Sequence, residues 1–245
     1  LAELIRLPDP QALAQEAAAR WESIAAEAVQ TRGAFSVALS GGQTPREFYS
    51  VLAATPWRER MPWAKTFVFW GDERRVPRSD PASNYRLAAD ILLSQVPIPG
   101  HQVFPMSGEA LASSAAREYD EALWRHFRFD RRAFPVFDLF LLGLGTDGHI
   151  ASIFPGTRAV SDLSNRVLVY RVPQLGEERI TLTLPVINQA RDILILVSGA
   201  EKAGTLHEVL YGPHRPSTVP AQAVKPVSGR LTWLVDEAAA AELPA

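Results

Sequence analysis

Apolar positions along this chain fall into two kinds of run. Short blocks at 35–39, 66–70, 137–142 and 192–197 are nearly unbroken, bounded by glycine or charge, and read as strands; those at 137–142 and 192–197 are apolar enough to be buried on both faces of a parallel sheet. Between the blocks, apolar residues recur at helical spacing. Asp9 and Pro10 supply an N-cap and a first-turn proline, Leu13, Ala17, Trp21, Ile24 and Ala28 follow on one face, and Gly33 stops the run. Pro45 opens a second helix that reaches about Ala54. Further helices are expected over 84–93 and 109–127, after the loop at 198–202 as far as Leu210, and briefly at 150–154. A short strand fits 101–106 and a last one fits 231–235. The alternating runs 166–172 and 179–184 pair across the turn at 173–178, and the proline-rich 211–227 segment reads as loop with one helical turn at 219–224. Strands followed by helices predict an α/β fold: a mostly parallel, Rossmann-like sheet with flanking helices and a small antiparallel addition. No repeat or low-complexity linker divides residues 1–245, so one domain is expected.

Composition narrows the class. With 47% hydrophobic residues a chain of 245 can build a full core without staples, and the absence of cysteine removes disulfides, thiolate catalysis and cysteine metal sites. A net charge of −2 provides no basic field for nucleic acid, and no apolar run approaches the roughly 20 residues of a membrane span. No charged-then-apolar leader is visible. The expectation is a cytoplasmic protein acting on a small molecule, as a monomer or weak homodimer.

Candidate chemistry lies just after the strands. In open parallel sheets ligands sit beyond the carboxyl ends of the strands, so the loops 40–44, 71–74, 143–149 and 198–202 should converge on one cleft. Ser40, Gly41, Gly42 and Thr44 form an anion cradle, with backbone N–H groups, a hydroxyl and the positive end of the following helix; a plain strand-to-helix turn is the alternative. Lys202 stands in the first turn of its helix, where a cation is unfavourable unless an anion joins it. Asp72, Glu73 and Arg74 crowd two carboxylates and a guanidinium, suited either to sugar hydroxyls or to an internal ion network. Asn84 reads as a helix cap or a brace for that loop. His149 is a side-chain type that takes and returns protons near neutral pH, and Asp147, two residues before it, can fix its tautomer. The other four histidines lack such a setting, and no metal-ligand pattern is present. Gly143, Gly145 and Gly148 match the spacing of a dinucleotide loop, but the acid expected about 20 residues later is missing and Asp147 would face the pyrophosphate.

Together the motifs SGGQTP from Ser40, GDER from Gly71 with Ser83-Asn84, GLGTDGHIASIFPG from Gly143, RITLT from Arg179 and SGAEK from Ser198 resemble the glucosamine-6-phosphate isomerase/6-phosphogluconolactonase family, and within it the lactonases. The resemblance spans nearly the whole chain. It implies a NagB/RpiA-like fold, no cofactor, and hydrolysis of a phosphosugar lactone in the oxidative pentose phosphate pathway. It also implies His149 as general base with Asp147 behind it, a phosphate held by Gly41, Gly42, Thr44, Arg179 and Lys202, and a sugar site shaped by Asp72 and Arg74. The related deaminases continue the same loop with a catalytic glutamate where this chain has Phe154, which removes an acid their chemistry needs. A phosphosugar sensor without turnover is the remaining alternative.

Overall fold

The computed structural model describes residues 2–244. Its strands in chain order are β1 (Glu3–Leu7), β2 (Phe35–Leu39), β3 (Thr66–Trp70), β4 (Asp72–Arg74), β5 (Leu139–Gly143), β6 (Val167–Val172), β7 (Glu177–Leu182), β8 (Asp192–Val197) and β9 (Arg230–Asp236). Six of them form a parallel sheet in the order β1-β9-β8-β5-β2-β3. Every residue of β2 and β8 is buried, as helices on both faces require. From β2 the chain steps outward to β3, whereas from β5 it steps the other way through β8 to β9. The order therefore reverses between β2 and β5, the position at which an open α/β sheet leaves a crevice beyond its strand ends.

The helices follow from their capping chemistry and apolar faces. Asp9 accepts the Ala12 N–H at 2.7 Å and starts the helix Pro10–Arg32, which Gly33 closes. Its Trp21 is fully buried, edge-on to Phe35 of β2 with ring centroids 5.3 Å apart. Two tyrosines bolt strand ends in place. Tyr49 donates to the Ser40 carbonyl at 2.6 Å and accepts the Ser40 N–H at 3.1 Å, just past β2; Tyr119 does the same to Trp70, at 2.9 and 2.8 Å, at the end of β3. Burial pushes both phenols up, so they stay neutral donors.

Four expectations need correction. Residues 72–74 are not loop but β4, which pairs with β7 in a second, antiparallel sheet of order β4-β7-β6. Three residues bearing charge carry no strand periodicity, and only the neighbouring hairpin supplies their partners. Residues 101–106 make a 3-10 turn and one bridge, Val68 to Val103, instead of a strand. No helix opens at 150–154: Ile150 bridges back to Ile153 and Ala151 takes a left-handed φ of 47°, which turns the chain inward. Lys202 ends a 3-10 turn, Ala200–Lys202, and caps the helix Ala203–Tyr211 instead of lying within it. The edge strand β1 and the short helices Trp57–Arg60 and Leu184–Asn188 had no expectation at all. β1 lies at the sheet's rim, half exposed, and the charges of Glu3 and Arg6 break up its short apolar run.

Candidate active site

β5 ends at the sheet's reversal and hands its chain to the loop carrying Asp147 and His149. The Gly145 N–H donates to the His149 carbonyl at 2.9 Å and the Gly148 N–H to the Gly145 carbonyl at 3.0 Å, which closes the loop into a compact knot. Gly145 is obligatory there: a Cβ would stand 2.0 Å from His149 Nδ1. Outside the knot, Thr205 donates to the Thr146 carbonyl at 2.6 Å and the Ala221 N–H to the Gly148 carbonyl at 3.0 Å, so two further segments hold it.

The imidazole is fixed on two sides. Nδ1 lies 2.5 Å from Asp147 Oδ1, and the ring stacks on Phe154 with centroids 4.2 Å apart. Burial pushes the Asp147 carboxyl up, but the hydrogen bonds and charge of His149 outweigh it and hold the group below the ordinary carboxylate value. Nε2 has no partner among the described residues. With a carboxylate accepting at Nδ1, Nε2 is the nitrogen that carries the lone pair.

A cleft of about 640 Å³ opens around this ring, and each sequence-predicted residue lines it: Ser40, Gly41, Gly42 and Thr44 after β2, Asp72 and Arg74 on β4, Asp147 and His149 after β5, Arg179 on β7 and Lys202 after β8. The helix Gln43–Ala53 points its first turn, whose N–H groups lack intrahelical partners, at the cleft. Arg74 and Arg179 are direct cross-strand partners, so β4 and β7 bring two guanidinium groups to one face of their sheet. Arg179 is nearly buried and leans on Glu177 at 2.6 Å, while Arg74 donates to the Ala82 carbonyl at 2.5 Å. Lys202 forms no ion pair among the described residues. Its loop is fixed by buried Asp236, which accepts Ser198 Oγ at 2.5 Å and the Gly199 N–H at 3.2 Å.

The two acids of β4 part company. Asp72 lines the cleft, whereas Glu73 turns away and accepts the N–H groups of Arg74, Asn84 and Tyr85, each at 2.8 Å, and Ser83 Oγ at 3.0 Å. Burial pushes the Glu73 carboxyl up, and those backbone donors only partly reverse it. Glu73 is thus a structural staple for the 83–88 turn. Sequence reasoning missed Ser152, which donates to Asp72 Oδ2 at 2.7 Å, and the stack of Phe154 on His149. Ser152 gave no chemical signal within an expected helix, and Phe154 was marked only as standing where the deaminases have an acid, not as a partner of the imidazole. Among the described residues no three His, Asp or Glu side chains gather as a metal site would need.

The family model for glucosamine-6-phosphate isomerases/6-phosphogluconolactonase matches residues 8–233. The chain belongs to this family. A 6-phosphogluconolactonase of Synechocystis is 41% identical over 218 residues, covering 89% of this chain and 88% of the relative. A probable chloroplastic 6-phosphogluconolactonase of Oryza sativa is 39% identical over 94% of this chain and 73% of its own. The solved 6-phosphogluconolactonase of Trypanosoma cruzi superposes with a TM-score of 0.87 at 29% identity, over 100% of this chain and 98% of that one. A monomeric glucosamine-6-phosphate deaminase, at 22% identity and a TM-score of 0.82, shares the fold. Membership settles the fold class of the α/β sheet with its antiparallel addition, and the Synechocystis, Oryza and Trypanosoma proteins above are named as lactonases.

Proposed function

We propose that this chain is a 6-phosphogluconolactonase, hydrolysing 6-phospho-D-glucono-1,5-lactone to 6-phospho-D-gluconate in the oxidative pentose phosphate pathway. The observation that carries the reading is the His149–Asp147 pair, 2.5 Å apart, in a cleft that Arg179, Lys202 and a glycine cradle also line. Water is the nucleophile. His149 Nε2 takes a proton from it as its oxygen bonds to C1, and Asp147 balances the imidazolium that forms. The carbonyl electrons move onto oxygen, where N–H groups of the glycine loops stabilise them. When the tetrahedral centre collapses, the bond from C1 to the ring oxygen breaks and His149 returns its proton to that oxygen. The sum is one water added across one ester bond.

Gly41, Gly42, Thr44, Arg179 and Lys202 hold the phosphate, Ser40 and Arg74 frame the cleft, and Asp72 faces the sugar ring. Phe154 fills, with an apolar ring against His149, the place where the deaminase reading needs an acid. The protein works as a single domain, in the cytoplasm, as a monomer or weak homodimer; sedimentation of the purified chain tests the last point. No helix of the described residues is long and apolar enough to cross a membrane.

Initial rates on freshly made 6-phosphogluconolactone and on unphosphorylated glucono-1,5-lactone, each corrected for spontaneous hydrolysis, test the reading. Losing several charge-assisted contacts to phosphate costs at least about 100-fold in kcat/KM. Equal rates would remove the phosphate from recognition, and acceleration of neither would end the lactonase reading.

A further inference from the structure

Asp72 is a buried carboxylate with a definite set of partners. Oδ2 accepts Ser152 Oγ at 2.7 Å, and Oδ1 accepts Asn84 Nδ2 at 3.2 Å; the same Nδ2 also donates to the Asp72 carbonyl at 2.9 Å. Both partners are themselves buried, Ser152 at 1% and Asn84 at 1% exposure, and all three residues line the cleft. A carboxylate offers about four acceptor sites and no donor. Two are taken here, so the cleft-facing remainder can only accept. On a phosphorylated aldonolactone the ring carbonyl and the phosphate are acceptors, and the sole donors are ring hydroxyls.

The two partners lead to the two working parts of the site. Ser152 lies three residues after His149, and the left-handed turn at Ala151 is what swings it toward β4; its N–H is received by Thr181 Oγ1 of β7 at 3.3 Å. Asn84 reaches the other way. Because Nδ2 is committed to Asp72, its Oδ1 faces Gly41, so closely that a Cβ on that glycine would lie 1.8 Å away, and this buried oxygen has no donor among the described residues. One carboxylate is thereby tied both to the catalytic loop and to the anion cradle.

We propose that Ser152 and Asn84 are positioning residues that hold Asp72 as a fixed acceptor for the lactone's ring hydroxyls, making this trio the element that selects hydroxylated over deoxygenated phospholactones. The proposal rests on the lactonase reading above and specifies which part of the substrate, besides ester and phosphate, is read. Ser152→Ala frees one oxygen to rotate, Asn84→Ala frees the other, and Asp72→Asn turns an acceptor into a donor.

The test compares kcat and KM on 6-phosphogluconolactone with those on its 2-deoxy, 3-deoxy and 4-deoxy analogues, prepared fresh. Wild type should lose about 10- to 100-fold in kcat/KM on at least one analogue, as expected for a charge-assisted hydrogen bond. In Ser152→Ala and Asp72→Asn that gap should shrink to a few-fold through a raised KM for the hydroxylated substrate, and Ser152→Thr, which keeps the hydroxyl, should restore it. Binding of 6-phosphogluconate and its deoxy analogues by calorimetry reads the same preference if Asn84→Ala or Ser152→Ala proves too unstable for kinetics. A wild type blind to every deoxygenation, or variants that lose equally on all four lactones, would overturn the proposal. A wild type that binds the hydroxylated acid in preference but turns over no lactone would instead strike the lactonase reading and leave hydroxyl selection standing.

Discussion

His149 and His126 occupy opposite edges of the same sheet, and their surroundings make the same side chain into two different tools. His149 follows β5 at the carboxyl edge, about one-third exposed, with Asp147 behind Nδ1 and one ring face on Phe154. His126 closes the helix Ala112–Phe127 at the amino edge, among the rings of Phe67, Phe69, Phe104 and Phe127 at 4.5 to 5.8 Å, with Nε2 2.7 Å from Ser36 Oγ. No carboxylate touches it among the described residues. Burial pushes its pKa down to about 4, so it stays neutral at any working pH and serves as an aromatic packing unit with one polar handle. A histidine suited to proton transfer needs an open nitrogen and a carboxylate at the other; enclosure among rings alone produces a packing residue.

The sharpest way to break this contrast is to remove each ring in turn. His149→Asn should lower kcat by about 10²- to 10⁴-fold, the usual contribution of a general base, while product binding and melting temperature stay near wild type. His126→Asn should reverse the pattern, lowering the melting temperature and leaving kcat/KM of the folded fraction intact. Asp147→Asn leaves the ring in place with the wrong tautomer favoured, and a loss of about 100-fold in kcat with little change in KM is expected. Comparable turnover in Asp147→Asn and wild type would detach the carboxylate from the mechanism. Arg179→Ala and Lys202→Ala should each cost about 10- to 100-fold in kcat/KM, mainly through KM, for the loss of one charge-assisted phosphate contact.

The smallest effect belongs to the buried ring and concerns stability. A histidine whose folded pKa lies below its unfolded value binds fewer protons folded than unfolded between those values. Its contribution is therefore complete above about pH 6.5 and is lost as pH falls to about 4, beyond which no more is lost. Allowing for its partial exposure, the loss should be about 1–3 kcal/mol in urea titrations, and His126→Phe should flatten that part of the pH profile. An unchanged slope would move the acid sensitivity to other groups.

These two regions also show what the amino-acid sequence discloses. The strands at 35–39 and 192–197 were legible because interior strands of a parallel sheet are apolar on both faces, and the edge strand at 66–70 because it is nearly as apolar and as buried; the convergence of their loops follows from topology alone. Glycine loops with a histidine and an acid announce chemistry for the same reason, since few structural needs place those types together. β4 and the role of Ser152 were not legible. A three-residue charged strand gains its pairing from a hairpin about a hundred residues later, and Ser152 gains its meaning only from the left-handed turn at Ala151. Glu73 and Asp72, adjacent and alike in sequence, divide into staple and cleft wall because alternate residues of a strand face opposite ways. His126, in turn, reads as an ordinary helix residue until Phe67, Phe69 and Phe104 from elsewhere in the chain close around it beside its neighbour Phe127.

The most direct measurement follows product from freshly made 6-phosphogluconolactone, coupled to 6-phosphogluconate dehydrogenase, with spontaneous hydrolysis subtracted and glucosamine 6-phosphate assayed in parallel for ammonia. The expected result is acceleration of the lactone and no ammonia, in keeping with Phe154 against His149. Ammonia from the amino sugar without lactone hydrolysis would contradict it, and silence on both substrates would leave a phosphosugar-binding protein in place of an enzyme.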